Sequence, residues 1–218
     1  VRGYRDDGFG VDVKWDVPLL DGYRYEFLPS LRDAGTQTFA SPLNHGIFSR
    51  LRGNGTTPGF DVLWVHGYAM VNSLYAMLAA KSLGIPVLIR GDMWLSDRPR
   101  SGARLFLKPI FFQLLRNLVD GVLSVGTRND AYWRHYLGDE VPRFVMPYAV
   151  DNAYFQQRSQ EARVTRDALL RELNLESGRP VILFASKLQG PKRCDDLIAA
   201  YKNLLDQRSG LRPYLVIV

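Results

Sequence analysis

Short apolar runs alternate along the chain with segments whose apolar residues recur at helical spacing. The run at residues 62–65, Val-Leu-Trp-Val, is typical of a strand that is buried on both faces of a sheet. From residue 59 onward the pattern predicts, in order, strand 60–65, helix 72–82, strand 86–89, helix 104–118, strand 121–125, helix 129–136 and strand 143–146. This alternation implies crossover units, and therefore a parallel sheet of the Rossmann-like α/β class.

The pattern changes after residue 150. Residues 151–176 are polar, and 163–173 within them predict a connecting helix. A second strand–helix–strand unit follows, with strands predicted at 181–185 and 213–218 and an amphipathic helix at 193–207. We therefore predict a first Rossmann-like domain over 1–153, a linker over 154–178 and the start of a second such domain over 179–218. Because the last apolar run reaches residue 218, we expect a piece of a longer protein whose first strand and most of whose second domain lie outside it.

The first 58 residues carry weaker patterns. Residues 23–28 alternate as a strand does, 44–52 predict a short helix, and the Gly-rich stretch 53–59 predicts a loop.

Composition narrows the class of protein. The chain has 218 residues, of which 46% are hydrophobic and 12% aromatic, and this balance indicates a folded globular protein and excludes disorder. A single cysteine, Cys194, excludes an internal disulfide framework and favours a reducing, cytoplasmic setting. There is no apolar stretch of about 18 residues, so no membrane span is predicted. The net charge of +6 suits an anionic partner (nucleic acid, a phosphorylated substrate or lipid head groups) or a generally basic surface.

Polar residues lie where two successive predicted strands end. His66 and Gly67 follow the first strand, and Arg90 and Asp92 follow the second. Ligands of open parallel sheets bind at the carboxyl ends of strands. His66 therefore either meets a substrate or holds its loop through backbone hydrogen bonds. Likewise, Arg90 either clamps a carboxylate or phosphate, or pairs with Asp92 to staple the loop.

A third candidate is the loop 185–193, which follows the first strand of the second unit and leads into its helix. Lys187, Lys192 and Gly190 in this loop, together with the helix N-terminus, either bind an anion or are ordinary surface charges, which are common on strand–helix loops without a function. The P-loop pattern is absent, and so are paired cysteines, His-Glu-x-x-His, Gly-x-Gly-x-x-Gly and Gly-x-Ser-x-Gly. The three histidines are widely spaced and give no metal-ligand pattern.

Several stretches of the sequence resemble a known family of enzymes. Residues 181–201 resemble glycosyltransferase family 4, the retaining enzymes of the GT-B fold, whose pattern runs Gly-Arg-Leu, Lys-Gly, then an Asp and a Leu-Ile-x-Ala helix. In this chain Ser186 and Lys187 stand for the Gly and Arg, and Lys192 and Arg193 stand for the Lys and Gly. An arginine in place of the second glycine makes the turn less standard.

A second stretch, 146–155, resembles the family's Pro-x-x-Val-Asp-x-x-x-Phe segment. Residues 16–23 also resemble one bacterial branch of these enzymes, less specifically, so the matches together extend roughly over residues 15–201. The family's glycine-rich first loop and its Glu-x7-Glu motif have no counterpart in the chain. We attribute both absences to truncation and expect the isolated fragment to be inactive.

The resemblance implies a hexosyltransferase that moves a sugar from a nucleotide diphosphate sugar to an acceptor hydroxyl with retention, in polysaccharide or glycolipid biosynthesis. It implies that Lys187 and Lys192 bind the donor diphosphate and that no cofactor and no metal is needed. His66 is then the candidate catalytic residue, and Gly67, Arg90 and Asp92 lie on the acceptor-side cleft. The rivals are a GT-B nucleotide-sugar epimerase and a basic nucleic-acid-binding module. Against the latter, the aromatic residues are not interleaved with Lys and Arg.

The segment 101–118 leaves two interpretations open. Its basic, aromatic-rich composition suits peripheral contact with the inner face of a membrane, where a lipid-linked acceptor would lie. Its apolar residues also go nearly all the way round the helix, as in a helix buried against a sheet, and Pro109 interrupts it.

Overall fold

The structure is a computed structural model that describes residues 4–6, 11–13, 18–32, 39–40, 43–53, 59–95, 103–208 and 210–218. The chain forms two compact units, one comprising Glu26–Ala149 and the other comprising Val1–Tyr25 together with Val150–Val218. In chain order the described elements are β1 (Tyr4–Asp6), β2 (Val11–Val13), β3 (Ser30–Arg32), β4 (Leu43–Asn44), α1 (Ile47–Arg52), β5 (Leu63–His66), α2 (Val71–Ser82), β6 (Val87–Gly91), α3 (Ala103–Arg116), β7 (Gly121–Ser124), α4 (Thr127–Leu137), β8 (Arg143–Val145), α5 (Asn152–Glu172), β9 (Val181–Phe184), α6 (Cys194–Gln207) and β10 (Tyr214–Ile217).

The unit Glu26–Ala149 is built on a parallel sheet, as its alternating pattern predicts. Its four strands follow the order β5-β6-β7-β8, and each pairs in parallel with the next. This arrangement confirms the α/β class, and every strand and helix predicted between residues 60 and 146 is present within a few residues of its predicted bounds.

The helices of this sheet all pack on one face. Inward side chains of the strands, such as Val65, Val87 and Val122, join one buried cluster with Met77 of α2 and Phe112 of α3. A strand order that always advances in the same direction places successive right-handed crossovers on the same side. The sequence pattern predicted strands covered on both faces. Among the described residues, however, Trp64 and Phe144 on the opposite face remain largely exposed.

Over residues 107–116 helix α3 has one buried side and one exposed side. Phe112 and Leu115 are buried, whereas Leu107, Ile110 and Leu114 are 64%, 58% and 64% exposed. Pro109 lies inside the helix without ending it. Across the described residues, no helix combines the length and the apolar character that crossing a bilayer requires.

The side chain of Lys108 packs against aromatic rings at the inner face of α3. The Lys108 ammonium lies 3.9 Å from the ring centroid of Tyr136 and 4.7 Å from that of Tyr132. A 2.6 Å hydrogen bond also joins the hydroxyls of Tyr132 and Tyr68. The aromatic rings therefore stabilise this charge through the cation–π interaction.

The other unit contains the second strand–helix–strand arrangement. Strands β9 and β10 pair in parallel, and the amphipathic helix α6 connects them. Helix α5 begins eleven residues before the predicted 163–173 helix, because Asp151 caps it by accepting a 2.9 Å hydrogen bond from the Tyr154 amide. In the first half of the helix Tyr154 and Phe155 are the large apolar residues, and two adjacent residues give no helical spacing, so apolar periodicity does not reveal this half.

The strand predicted at 23–28 is wrong. Residues 24–29 are irregular, and the strand instead covers Ser30–Arg32 and pairs antiparallel with Leu43–Asn44. The alternating side chains Tyr23, Tyr25 and Phe27 are all more than half exposed, so this alternation does not mark a buried face. The predicted helix 44–52 is present as α1. Of the predicted loop 53–59, residues 54–58 lie outside the described residues.

Candidate functional site

The residues predicted for the acceptor side lie together at the carboxyl ends of β5 and β6. His66 is paired with Arg90 in the parallel register. The Gly67 amide donates a 2.7 Å hydrogen bond to the Arg90 carbonyl. Gly67 has φ +73°, a left-handed conformation that favours glycine, and the space beside its Cα is open. The sheet therefore holds these residues within one strand spacing of each other.

The imidazole of His66 is accessible. It stacks on the indole of Trp64 with ring centroids 4.9 Å apart, and both side chains are exposed. Among the contacts of the described residues, none is a hydrogen bond from this imidazole to the backbone of its loop. The loop-staple alternative for His66 thus has no support from its contacts, whereas its exposure suits a ligand.

Arg90, in contrast, is only 7% exposed. One guanidinium nitrogen, Nη2, donates a 3.1 Å hydrogen bond to the Met146 carbonyl, and the group lies 4.3 Å from the ring centroid of Tyr148. Among the described residues no ion pair joins Arg90 to Asp92, and Arg90 Nε is buried without a hydrogen-bond partner. These contacts hold the segment 146–148 against β6, which makes Arg90 a positioning residue. Asp92 is exposed beside it.

Asn129 holds the loop that contains Asp92 in place, and the sequence pattern does not single it out. Its side chain is buried on α4, and its amide nitrogen donates a 2.7 Å hydrogen bond to the Met93 carbonyl. Its oxygen accepts hydrogen bonds from the Val125 amide at 3.1 Å and from the Trp133 indole at 3.2 Å. Asn129 thereby ties the loops that follow β6 and β7 to one helix. Asparagine alone gives no pattern in sequence, because its partners are brought to it by the tertiary fold.

The second cluster follows β9 in the other unit. Lys187 is partly buried, Lys192 is exposed, and residues Gly190–Lys192 form a single 3-10 turn before α6. Arg193 follows in the left-handed region at φ 56°, which explains why glycine suits this position and why an arginine there is unusual. Its guanidinium donates two hydrogen bonds to Asp196, at 2.6 and 2.9 Å. The loop thus keeps the predicted turn even with an arginine at the glycine position.

A cavity of about 390 Å³ lies beside this turn and is lined in part by Gly190, Arg193 and Asp195. The first turn of α6 carries two carboxylates, Asp195 and Asp196, which the anion-site prediction did not weigh. The ion pair with Arg193 compensates the charge of Asp196. With Asp195 also counted, the cations Lys187, Lys192 and Arg193 exceed the carboxylates by one positive charge. The lining of the cavity includes neither lysine. Across the described residues, no group of three His, Cys, Asp or Glu side chains is arranged as metal ligands would be.

Comparison with known proteins relates the chain to a glycosyltransferase. No protein-family model matches the chain. The D-inositol 3-phosphate glycosyltransferase of Nocardiopsis dassonvillei is 26% identical over 231 aligned positions, which cover 99% of this chain and 52% of the relative. The chain thus spans about half the length of the curated relative it matches. It is similar to a glycosyltransferase along nearly all of its sequence, and its parallel α/β sheet is consistent with the Rossmann-like architecture of the GT-B fold.

Proposed function

We propose that this chain belongs to a glycosyltransferase that moves a sugar from a nucleotide diphosphate sugar to an acceptor hydroxyl with retention, in polysaccharide or glycolipid biosynthesis. The observation that carries the proposal is the cationic turn between β9 and α6, in a chain similar to a glycosyltransferase. We also propose that the whole enzyme is needed for turnover, and that residues 1–153 serve the acceptor while residues 179–218 begin the donor domain.

In this proposal the turn binds the leaving diphosphate. Lys187 precedes the 3-10 turn and Lys192 ends it, so two ammonium groups belong to the loop that leads into α6, and a helix N-terminus also favours negative charge. Negative charge grows on the diphosphate as the bond to the sugar breaks. Cations that are already in place lower the barrier of that step, without a metal or cofactor.

The acceptor side is the edge formed by β5 and β6. The exposed imidazole of His66 is the candidate catalytic group, since it is able to hydrogen-bond a sugar hydroxyl or a reacting oxygen. Gly67 leaves space beside it, and Asp92 offers an exposed carboxylate to acceptor hydroxyls. Arg90 takes no direct part and fixes the segment 146–148.

The donor assignment is tested by kinetics of the full-length enzyme. Lys187→Ala and Lys192→Ala should each lower kcat/KM about ten- to a hundredfold, as expected for loss of a charge-assisted contact. Lys192→Arg should be milder. Lys202→Ala is a matched control, because Lys202 is also exposed but lies farther along α6. Wild-type kinetics in both alanine variants would refute the assignment.

Peripheral membrane contact at the cytoplasmic face remains a proposal for α3. Its outer surface exposes Leu107, Ile110 and Leu114. Docking would make the full-length protein cosediment with anionic vesicles at low salt and leave them at high salt. If the protein binds neither anionic nor neutral vesicles at low salt, this proposal is wrong.

A further inference from the structure

A cavity of about 300 Å³ lies in the unit Glu26–Ala149, among residues that belong neither to the acceptor-side edge nor to the turn before α6. It is lined in part by Glu26, His45, Ser49, Arg50 and Arg52. Sites for small molecules occupy roughly 300–1,000 Å³, so this cavity suits a ligand of one sugar or polyol ring.

The walls of the cavity are held by specific hydrogen bonds. The Asn44 side-chain amide donates to the Leu28 carbonyl at 2.9 Å, and the His45 backbone amide donates to the Pro29 carbonyl at 3.1 Å. Asn44 is in turn joined to Asn72, in the first turn of α2, through its backbone amide and its side chain. Since α2 follows the loop that starts at Gly67, this network links the cavity to the acceptor-side edge of the same unit.

One arginine of the cavity, Arg50, has a buried donor without a partner among the described residues. Arg50 Nε is bound to a Glu26 carboxylate oxygen at 2.6 Å, and the guanidinium lies 4.9 Å from the ring centroid of Phe60. Arg50 Nη1 is buried and has no hydrogen-bond partner among the described residues. A buried N–H of a cation without an acceptor is costly, and native proteins usually supply one. Arg52 adds a second positive charge to the lining, against the single carboxylate of Glu26.

We infer that this cavity binds an oxyanion, a phosphate or a carboxylate, carried by a small hydroxylated ligand. Guanidinium groups suit this chemistry because their fixed donors match the oxygens of phosphate and carboxylate. The ligand's hydroxyls would meet the Ser49 hydroxyl and the second Glu26 oxygen. The identification of this ligand as the acceptor rests on the proposed function, but oxyanion binding itself does not.

The test measures binding without any transfer reaction. Inorganic phosphate and, separately, acetate are titrated into the protein against chloride at matched ionic strength. The NMR signals of the His45 imidazole and of the amides of 45–53 report occupancy. We expect saturable shifts with one or both anions, and the tighter anion indicates whether the ligand carries phosphate or carboxylate. Shifts that match those in chloride for both anions would overturn the inference.

Substitutions separate binding from folding. Arg50→Met and Arg52→Met should weaken binding about tenfold or more, while Arg158→Met on α5, also an exposed arginine with a carboxylate partner, should leave it unchanged. Glu26→Gln removes the competing carboxylate and should tighten binding, a gain that misfolding does not produce. Unchanged affinity in both Arg52→Met and Glu26→Gln would contradict the assignment. Failure of the transfer assays with intact phosphate binding would reject the proposed function but not this site.

Discussion

The contribution of the Asn129 hydrogen bonds to the stability of the fold can be measured directly. Asn129→Ala removes three hydrogen bonds at 2.7, 3.1 and 3.2 Å. Each hydrogen bond contributes about 1 kcal/mol net, and a buried group left unpaired costs roughly 1–3 kcal/mol. The Trp133 indole is fully buried, so water does not readily replace the lost oxygen. We therefore expect the free energy of unfolding to fall by about 3 kcal/mol.

Urea unfolding followed by tryptophan fluorescence measures this change. Three of the four tryptophans, Trp64, Trp94 and Trp133, lie in the unit Glu26–Ala149 and report mainly its unfolding. The control is Asn117→Ala, because Asn117 is exposed and makes one local 3.2 Å hydrogen bond to the Gln113 carbonyl. It should cost less than about 0.5 kcal/mol. If the losses of unfolding free energy in the two variants differ by less than about 0.5 kcal/mol, the hydrogen bonds of Asn129 do not stabilise the fold as expected.

Three further predictions concern backbone strain, pH and catalysis. Arg193→Gly should melt at a higher temperature than Arg193→Ala. Both variants lose the contact with Asp196, but only glycine adopts φ 56° without steric cost. The reverse order of melting temperatures would contradict this prediction. Partial burial raises the pKa of Asp120, but hydrogen bonds from Lys81 and the Val87 amide outweigh it and hold that pKa below its ordinary value. The unfolded carboxyl titrates near about 3.9, so this stabilisation is complete above that pH and is lost as pH falls through the lower folded pKa. Asp120→Asn should therefore lower the urea midpoint at pH 7 and do so less at pH 3, and an equal deficit at both pH values would count against the assignment. His66→Ala should reduce turnover of the full-length enzyme strongly while its melting temperature stays within a few degrees, whereas activity that merely tracks the unfolded fraction would indicate a structural role.

The sequence predicts the sheet well because its evidence is local. Apolar runs such as 62–65 mark β5, a run rich in Leu, Ala and Met marks α2, and helical spacing of apolar residues marks α6. The same logic fails at residues 23–28, where alternating aromatic side chains are exposed, and in the first half of α5, which has no apolar stripe. Periodicity reports burial, so an element that buries little is invisible to it.

The candidate site is predictable only in part. Strand ends locate His66, Gly67 and Asp92, because parallel strands bring their carboxyl ends to one edge. The same rule does not show that Arg90 is buried beneath Tyr148, since that contact joins residues far apart in the chain. The cavity beside Arg50 is a second case, because hydrogen bonds from Asn44 assemble it. Long-range contacts of this kind leave no spacing pattern in sequence.

The most direct test of the central claim is product analysis with the full-length protein. A panel of nucleotide diphosphate sugars is incubated with and without candidate acceptors, and nucleotide diphosphate release and the anomeric configuration of the product are measured by NMR. We predict release that depends on an acceptor, a product that retains the donor configuration, and loss of both in the Lys187→Ala, Lys192→Ala double variant. Conversion of the sugar nucleotide to its epimer without an acceptor, or transfer that is unchanged in the double variant, would contradict the account.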